Sequence, residues 1–313
     1  MTSYIIRRII MTLPILIGVA TIVFILMFIV PGDPARMLMG QHGDEETLAS
    51  IRREMGLDQP LYIQYGRYIG RLARGDLGTS YRQKRPVARI IRERFPATLK
   101  LAVASMIIAI VAGVSAGIVA AAFRNTVLDW LVMVFSLTGI SMPVFWLGMM
   151  LILVLASGLG WFPVGGYGRS GDLRHIVLPA LSLAAISTGY IARMMRSSML
   201  EVIGKDYIRT ARAKGLSRKA VILRHALKNA FIPVITIIGI NFASLLGGAV
   251  ATETVFAWPG LGRAAVDAIR MRDLPMVEGC VLFLAVIFVA ANLVVDLSYA
   301  WLDPRIRLEG GKR

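Results

Sequence analysis

Asp206-Tyr207-Ile208-Arg209-Thr210-Ala211-Arg212-Ala213-Lys214-Gly215 lies inside a polar interval, residues 193–229, that separates two apolar runs. The interval carries ten Lys or Arg (Arg193, Arg196, Lys205, Arg209, Arg212, Lys214, Arg218, Lys219, Arg224, Lys228) against Glu201 and Asp206. Short loops rich in Lys and Arg stay on the cytosolic side of a membrane, so this interval orients every apolar run around it. Within it, Asp206 suits an N-cap, Ala211 and Ala213 favour helix, and Gly215 suits the left-handed residue that closes one. The expected helix is about eight residues, roughly 12 Å, too short to be stable alone. It gains order by packing on flanking helices or on a partner. From these residues alone, a docking element and a basic loop that only sets topology stand as equal alternatives.

Working outward, the chain has 313 residues, 56% of them hydrophobic, with mean hydropathy +0.67. Apolar runs occupy Ile9 to Val30, Thr98 to Phe123, Val127 to Ser157, Ile176 to Ala192, Phe231 to Val250 and Gly279 to Trp301. Runs of ~20 apolar residues match the bilayer core, so the expected class is an all-α polytopic membrane protein. The first run follows Arg7-Arg8 and is too long for a signal-peptide core, which predicts an uncleaved anchor helix over residues 1–30 with its N-terminus inside. The Val127 run contains Pro143 and reads as one kinked span or two short ones. Counting it once leaves the 193–229 interval cytosolic and gives six spans with both termini in the cytosol.

Residues 31–97 read as a small extracytoplasmic subdomain between the first two spans. Residues 98–304 form the core, and 305–313 a cytosolic tail. The loop 251–278 then faces outward. Its Glu253, Phe256, Trp258, Pro259, Gly260, Gly262 and Arg263 combine aromatic anchors with a tight turn. Two readings fit them: re-entry at the mouth of a pathway, or an interfacial loop with Trp258 at headgroup level.

The net charge of +16 sits in loops between apolar runs, which points to topology and anionic lipid rather than nucleic acid. Cys280 alone makes neither a disulfide nor a cysteine metal site. His42, His175 and His225 are scattered by the topology, so no metal site is expected. No phosphate-binding Gly-x-x-x-x-Gly-Lys-Ser/Thr loop is present, which excludes ATP hydrolysis by that route. Carboxylates are nearly absent from the apolar runs. Asp129 and Asp296 fall near cytosolic ends, where pairing with Arg is expected rather than proton coupling. A secondary transporter or channel explains the spans but not a basic docking helix. A scaffold leaves the Gly-rich outer loop unexplained, and no catalytic constellation supports an enzyme. Gly113 with Gly117, and Ser244 with Gly248, have the spacing that lets helices approach closely. Ser141, Pro143, Asn241 and Ser244 are candidates to line a translocation path.

Taken together, several motifs resemble the permease subunit of peptide-type ATP-binding-cassette importers, the dipeptide, oligopeptide and nickel group. They are Pro31-Gly32-Asp33-Pro34-Ala35, Gly56-Leu57-Asp58-Gln59-Pro60, Gly75-Asp76-Leu77-Gly78-Thr79-Ser80, Ile140-Ser141-Met142-Pro143-Val144-Phe145-Trp146-Leu147-Gly148, the 206–215 stretch, Phe256-Ala257-Trp258-Pro259-Gly260-Leu261-Gly262 and Leu302-Asp303-Pro304-Arg305. The resemblance implies a type I importer permease fold in a bacterial cytoplasmic (inner) membrane. It also implies a sister permease forming a heterodimer, two cytosolic ATPase subunits that hold the ATP and Mg, and an extracytoplasmic substrate-binding protein. No cofactor falls to this chain. Residues 206–215 become the coupling helix, although Arg209-Thr210-Ala211 stands where the general importer signature has Glu-Ala-Ala. That departure shifts the expected partner contact to Arg209 or Arg212. Small peptides are the expected cargo, with glutathione, a modified peptide or a nickel chelate as alternatives.

Overall fold

The computed structural model describes residues 2–29, 35–36, 44–168 and 172–302; the motif at residues 31–34, His42 and the tail 305–313 lie outside them, as do the surroundings of Gly248 and the side chain of Asp296. Among the described residues the chain is helical, with one isolated bridge between Thr79 and Pro86. The helices are α1 (Thr2–Ile29), α2 (Glu45–Met55), α3 (Leu61–Ala73), α4 (Val87–Ala122), α5 (Val127–Ser141), α6 (Val144–Leu151, widening into π turns at Ile152–Gly158) and α7 (Arg174–Ile203). Then follow α8 (Asp206–Ala213), α9 (Arg218–Ala220, π turns at Val221–Ala226, then Leu227–Gly248), α10 (Val250–Val255), α11 (Leu261–Arg270) and α12 (Leu274–Leu302). Helices α4, α7, α9 and α12 are long and apolar enough to cross a membrane, and α5 with α6 makes a fifth span if the bent pair is counted once. The apolar stretch of α1, Ile10–Leu26, takes the sixth place in the expected count.

Two expectations change in detail. The Val127 run, read as one kinked span or two short ones, is sharply broken, with α5 and α6 meeting at 108°. The residue before a proline is driven out of the helical region, and Met142 accordingly sits at φ −78°, ψ 133°. Helix also runs well beyond the apolar runs. α4 begins at Val87, so the last part of the expected 31–97 subdomain leads straight into a span, and most of the basic interval is the ends of α7 and α9 plus α8. Charge ends an apolar run without ending a helix, because Lys and Arg are good helix formers.

Helix α7 is the hub. A Cβ on Gly117 of α4 would stand 2.6 Å from the Ala192 carbonyl and from Met195 Cβ, and one on Gly113 would stand 2.8 Å from Ile191 Cβ. The Gly113/Gly117 spacing therefore packs within this chain, against α7. On its other side, a Cβ on Gly189 would meet the Ser136 carbonyl of α5 at 2.5 Å. The third neighbour is α9, where Ser187 Oγ donates to Asn241 Oδ1 at 3.3 Å. Close backbone approach replaces the hydrophobic drive that a bilayer cannot supply between spans.

Near the α1 and α12 end, Phe24 of α1 holds Tyr65 and Tyr68 of α3, with ring centroids 5.3 and 5.4 Å away. The Gly75-Asp76-Leu77-Gly78-Thr79-Ser80 motif leads into a clamp. Buried Asp273 accepts from the Ser80 hydroxyl and, at 3.0 Å, from the Tyr81 N–H.

Candidate functional sites at the two ends of the bundle

Helix α7 spans 30 residues, roughly 45 Å, and carries one candidate site at each end. At its C-terminal end stands α8. Lys205 occupies the N-cap, with no side-chain cap bond, so Asp206 opens the first turn instead of capping it. Its carboxylate still faces the positive helix end and pairs with Arg209 at 3.6 Å. The far end closes as expected. Gly215 takes φ +79°, its N–H reaches the Arg212 carbonyl at 2.9 Å, and the Leu216 N–H reaches the Ala211 carbonyl at 3.4 Å. These are the two bonds of a Schellman cap.

The eight residues of α8 divide cleanly into two faces. Ile208 is 0% and Ala211 6% exposed, and both join the main apolar cluster with Ala121, Val202, Val221 and Ala226. Tyr207, Arg209, Thr210, Arg212, Ala213 and Lys214 are exposed. The Tyr207 hydroxyl accepts from Asn229 Nδ2 at 2.8 Å, tying α8 to α9. Arg218 donates to the Ala122 carbonyl and lies 5.7 Å from the Phe123 ring centroid, which joins α9 to the end of α4. One helix further in, Arg196 of α7 grips buried Asp129 of α5 with two bonds of 2.5 and 2.7 Å. The expected pairing of Asp129 with an Arg is thus present. Helix α8 thus joins, through its apolar face, the cluster that the ends of α4, α7 and α9 share, and Tyr207 ties it to α9, while its polar face is open.

The other end is built around a carboxylate. Glu253 of α10 is 0% exposed; its Oε1 accepts from the Thr98 hydroxyl at 2.6 Å and its Oε2 from the Arg263 N–H at 3.0 Å. Thr98 in turn accepts from the Leu261 N–H at 2.8 Å. The first turn of α11 thereby gives its unpaired N–H groups to Glu253 and Thr98. Burial lifts the Glu253 carboxyl above the ordinary carboxylate range, and the Thr98, Arg263 and Gly262 hydrogen bonds oppose that lift. A Cβ on Gly260 would land inside this carboxylate, and one on Gly262 would stand 2.7 Å from Val250 Cα. That is the physical content of the Pro259-Gly260-Leu261-Gly262 turn.

The aromatic residues of the same loop are interior too. Trp258, 2% exposed, donates its indole N–H to the Ala97 carbonyl at 2.9 Å and meets the Tyr167 ring at 4.7 Å. It does not anchor at an exposed interface. Phe256, 1% exposed, packs with Ala156 and Leu178, and its carbonyl accepts from the Gly166 N–H at 2.8 Å. Five residues expected as partner contacts, Glu253, Phe256, Trp258, Gly260 and Gly262, are therefore internal braces. Pro259 and Arg263 are half-buried, and Arg263 is engaged with the Ala257 carbonyl at 2.5 Å and Asp267 at 3.8 Å. Sequence reading missed Thr98 because it lies at the start of an apolar span, 155 residues from Glu253.

Of the path candidates, Ser141 and Pro143 are exposed at the α5–α6 break. Ser244 is exposed and donates to the Ile240 carbonyl of its own helix at 3.1 Å. Asn241 is half-buried, donating to the Ile237 carbonyl at 2.8 Å while accepting from Ser187. None of these four lines either of the two described cavities.

Residues 113–308 match the family described as binding-protein-dependent transport system inner membrane component, and residues 1–102 match its N-terminal companion. The chain is 42% identical to the dipeptide transport system permease protein DppB of Alkalihalophilus pseudofirmus, covering 98% of this chain and 100% of that protein. It is 45% identical to the glutathione transport system permease protein GsiC of Salmonella paratyphi A, over 98% of this chain and 99% of the other. Among solved structures, the crystal structure of an amino acid ABC transporter with histidines superposes with a TM-score of 0.54 at 14% identity, covering 68% of this chain and 94% of that chain. Identity that low speaks for the fold alone. With its full-length relatives and its helical, apolar architecture, this multi-pass membrane chain belongs to the inner membrane components of binding-protein-dependent ABC importers, as a permease subunit.

Proposed function

We propose that this permease forms, with a sister permease, the path for a small peptide, and that α8 receives the motion of a cytosolic ATPase. The observation that carries this reading is the division of α8 into a buried face, within the apolar cluster that three span ends share, and an open face of Tyr207, Arg209, Thr210, Arg212 and Lys214. A helix held in this way moves with the spans as one body. Force applied to its open face reaches α4, α7 and α9 through close-packed contacts. ATP and Mg are held by the partner subunits, and both termini lie in the cytosol with α8. An extracytoplasmic binding protein delivers cargo at the opposite end, where the Glu253 brace keeps the mouth rigid. Dipeptides and glutathione are the leading cargoes, because the relatives are permeases named for those two substrates.

The test is reconstitution of the full complex with its sister permease, ATPases and binding protein. Arg212→Glu with Arg209→Glu is expected to lose ATPase co-purification and cargo-stimulated hydrolysis while the chain melts as the native one does. Undiminished stimulated hydrolysis in that variant would reduce α8 to a topogenic basic loop. Comparing dipeptide with glutathione uptake in the same vesicles assigns the cargo.

A further inference from the structure

Between the N-terminal helices and the head of α12 lies a cavity of about 1340 Å³ that the coupling reading does not use. Arg67 and Arg71, one turn apart on α3, and Arg74 at its C-cap all line it. None of the three guanidinium groups makes a hydrogen bond or a close ion pair among the described residues, although the Arg71 charge acts on Glu278 and Arg67 Nη1 lies against Gly56. Across the cavity, Glu278 of α12 presents a buried carboxyl oxygen, Oε1, without a partner, and the buried Tyr68 hydroxyl is also unpaired. Buried polar atoms are nearly always hydrogen-bonded, so two at one cavity ask for a ligand with polar groups of its own. The floor is apolar. Phe24 and Leu282 line it and belong to one cluster, and Phe24 stands six residues, roughly 9 Å of helix, before the end of the apolar run Ile9 to Val30. The cavity therefore lies toward the C-terminal end of the first apolar run, with polar lining from residues 52–84 above apolar Phe24 and Leu282.

A fitting ligand carries an oxyanion for the arginine row, N–H donors for Glu278 and an apolar portion for Phe24 and Leu282. We propose that the cavity holds the headgroup of an ethanolamine phospholipid, with its phosphate on Arg67, Arg71 and Arg74 and its ammonium on Glu278. Arginine forks suit phosphate oxygens. A choline headgroup has no N–H to give Glu278, and a glycerol headgroup brings no cation.

The full chain is reconstituted in nanodiscs with equal parts of ethanolamine, choline and glycerol phospholipids, then extracted, and its retained lipids are read by native mass spectrometry. Ethanolamine lipid is expected to be retained about tenfold over choline lipid, the scale of one charge-assisted hydrogen bond. Glu278→Gln is expected to erase that preference while phospholipid stays bound. Arg67→Gln with Arg71→Gln is expected to lose all three lipids, and melting curves of the lipid-free native and variant chains separate that loss from the cost of removing the Arg71 charge beside Glu278. Equal retention of all lipids by the native chain and both variants overturns the proposal. So does displacement by alanyl-alanine, which would make the cavity a peptide subsite, or by inorganic phosphate as readily as by glycerophosphoethanolamine, which would make it a general oxyanion site.

Discussion

At the level of single residues, Glu253 has the largest structural consequence. It accepts from Thr98 and Arg263 inside the protein, so Glu253→Ala strands a buried hydroxyl and a buried N–H. Each such group costs about 1–3 kcal/mol, and a melting curve of the purified chain should show the sum. Its pH dependence has a definite sign. The folded carboxyl holds its proton more tightly than the unfolded one, whose reference value is 4.5. Stability from this group is therefore fully present below that value and is lost as pH rises through the raised folded value. In Glu253→Gln this fall is expected to vanish, and melting temperatures followed from about pH 4 to pH 8 compare the two slopes. Gly215 offers a contrast. At φ +79° any side chain is strained, so Gly215→Ala should cost about 1 kcal/mol and fray the α8 cap, a local effect visible as faster hydrogen exchange of the Leu216 amide. Asp206 illustrates how far a residue can be read locally. Its placement at the helix start was legible, but whether it caps or opens the turn depended on the Lys205 backbone, extended at ψ 152°.

Among elements, the packing of α7 governs the fold. Gly117→Leu would drive a side chain into the Ala192 carbonyl and Met195. Overpacking of this kind costs about 1–3 kcal/mol, and here it also separates α4 from α7. The expected result is a lower melting temperature and loss of coupled transport together. The Arg196–Asp129 pair joins α7 to α5 with two short bonds. Removing one partner of a fully buried pair costs about 3–5 kcal/mol, and less is expected here because Arg196 is only half-buried, whereas replacing both can be far milder. Arg196→Met should therefore destabilise the chain more than Arg196→Met combined with Asp129→Leu, and a double-mutant cycle on melting midpoints reads the difference. Helix ends were the least legible feature at this scale. Hydropathy stops at Ala192 while α7 continues to Ile203, because backbone hydrogen bonds persist after the apolar side chains have ended.

For the whole molecule, the α7 hub carries an open helix at one end and a braced turn at the other, the two places that the proposed function assigns to coupling and to cargo delivery. The brace makes a prediction beyond its own neighbourhood. Asp273→Asn should loosen the 80–82 loop from the α11–α12 junction, since the carboxylate accepts from Ser80 and Tyr81. Binding-protein-stimulated ATPase should fall in that variant while basal ATPase is kept, because α8 stands at the far end of α7. Equal loss of both rates would instead indicate that the two ends share one cooperative unit.

The amino-acid sequence by itself determined the number of apolar runs, the orienting weight of the basic interval, the helix over 206–213 and the left-handed Gly215. These rest on nearest-neighbour chemistry, namely hydropathy, charge and φ preference, which a chain carries wherever it is placed. Only the tertiary structure decided that Glu253, Phe256 and Trp258 face inward, that Gly113 and Gly117 serve α7, and that Pro143 turns the chain through 108°. Each of those outcomes depends on a partner far away in the chain. Glu253 reads as a surface acid until Thr98 and the first turn of α11 close around it, and that pairing follows from packing rather than from local preference.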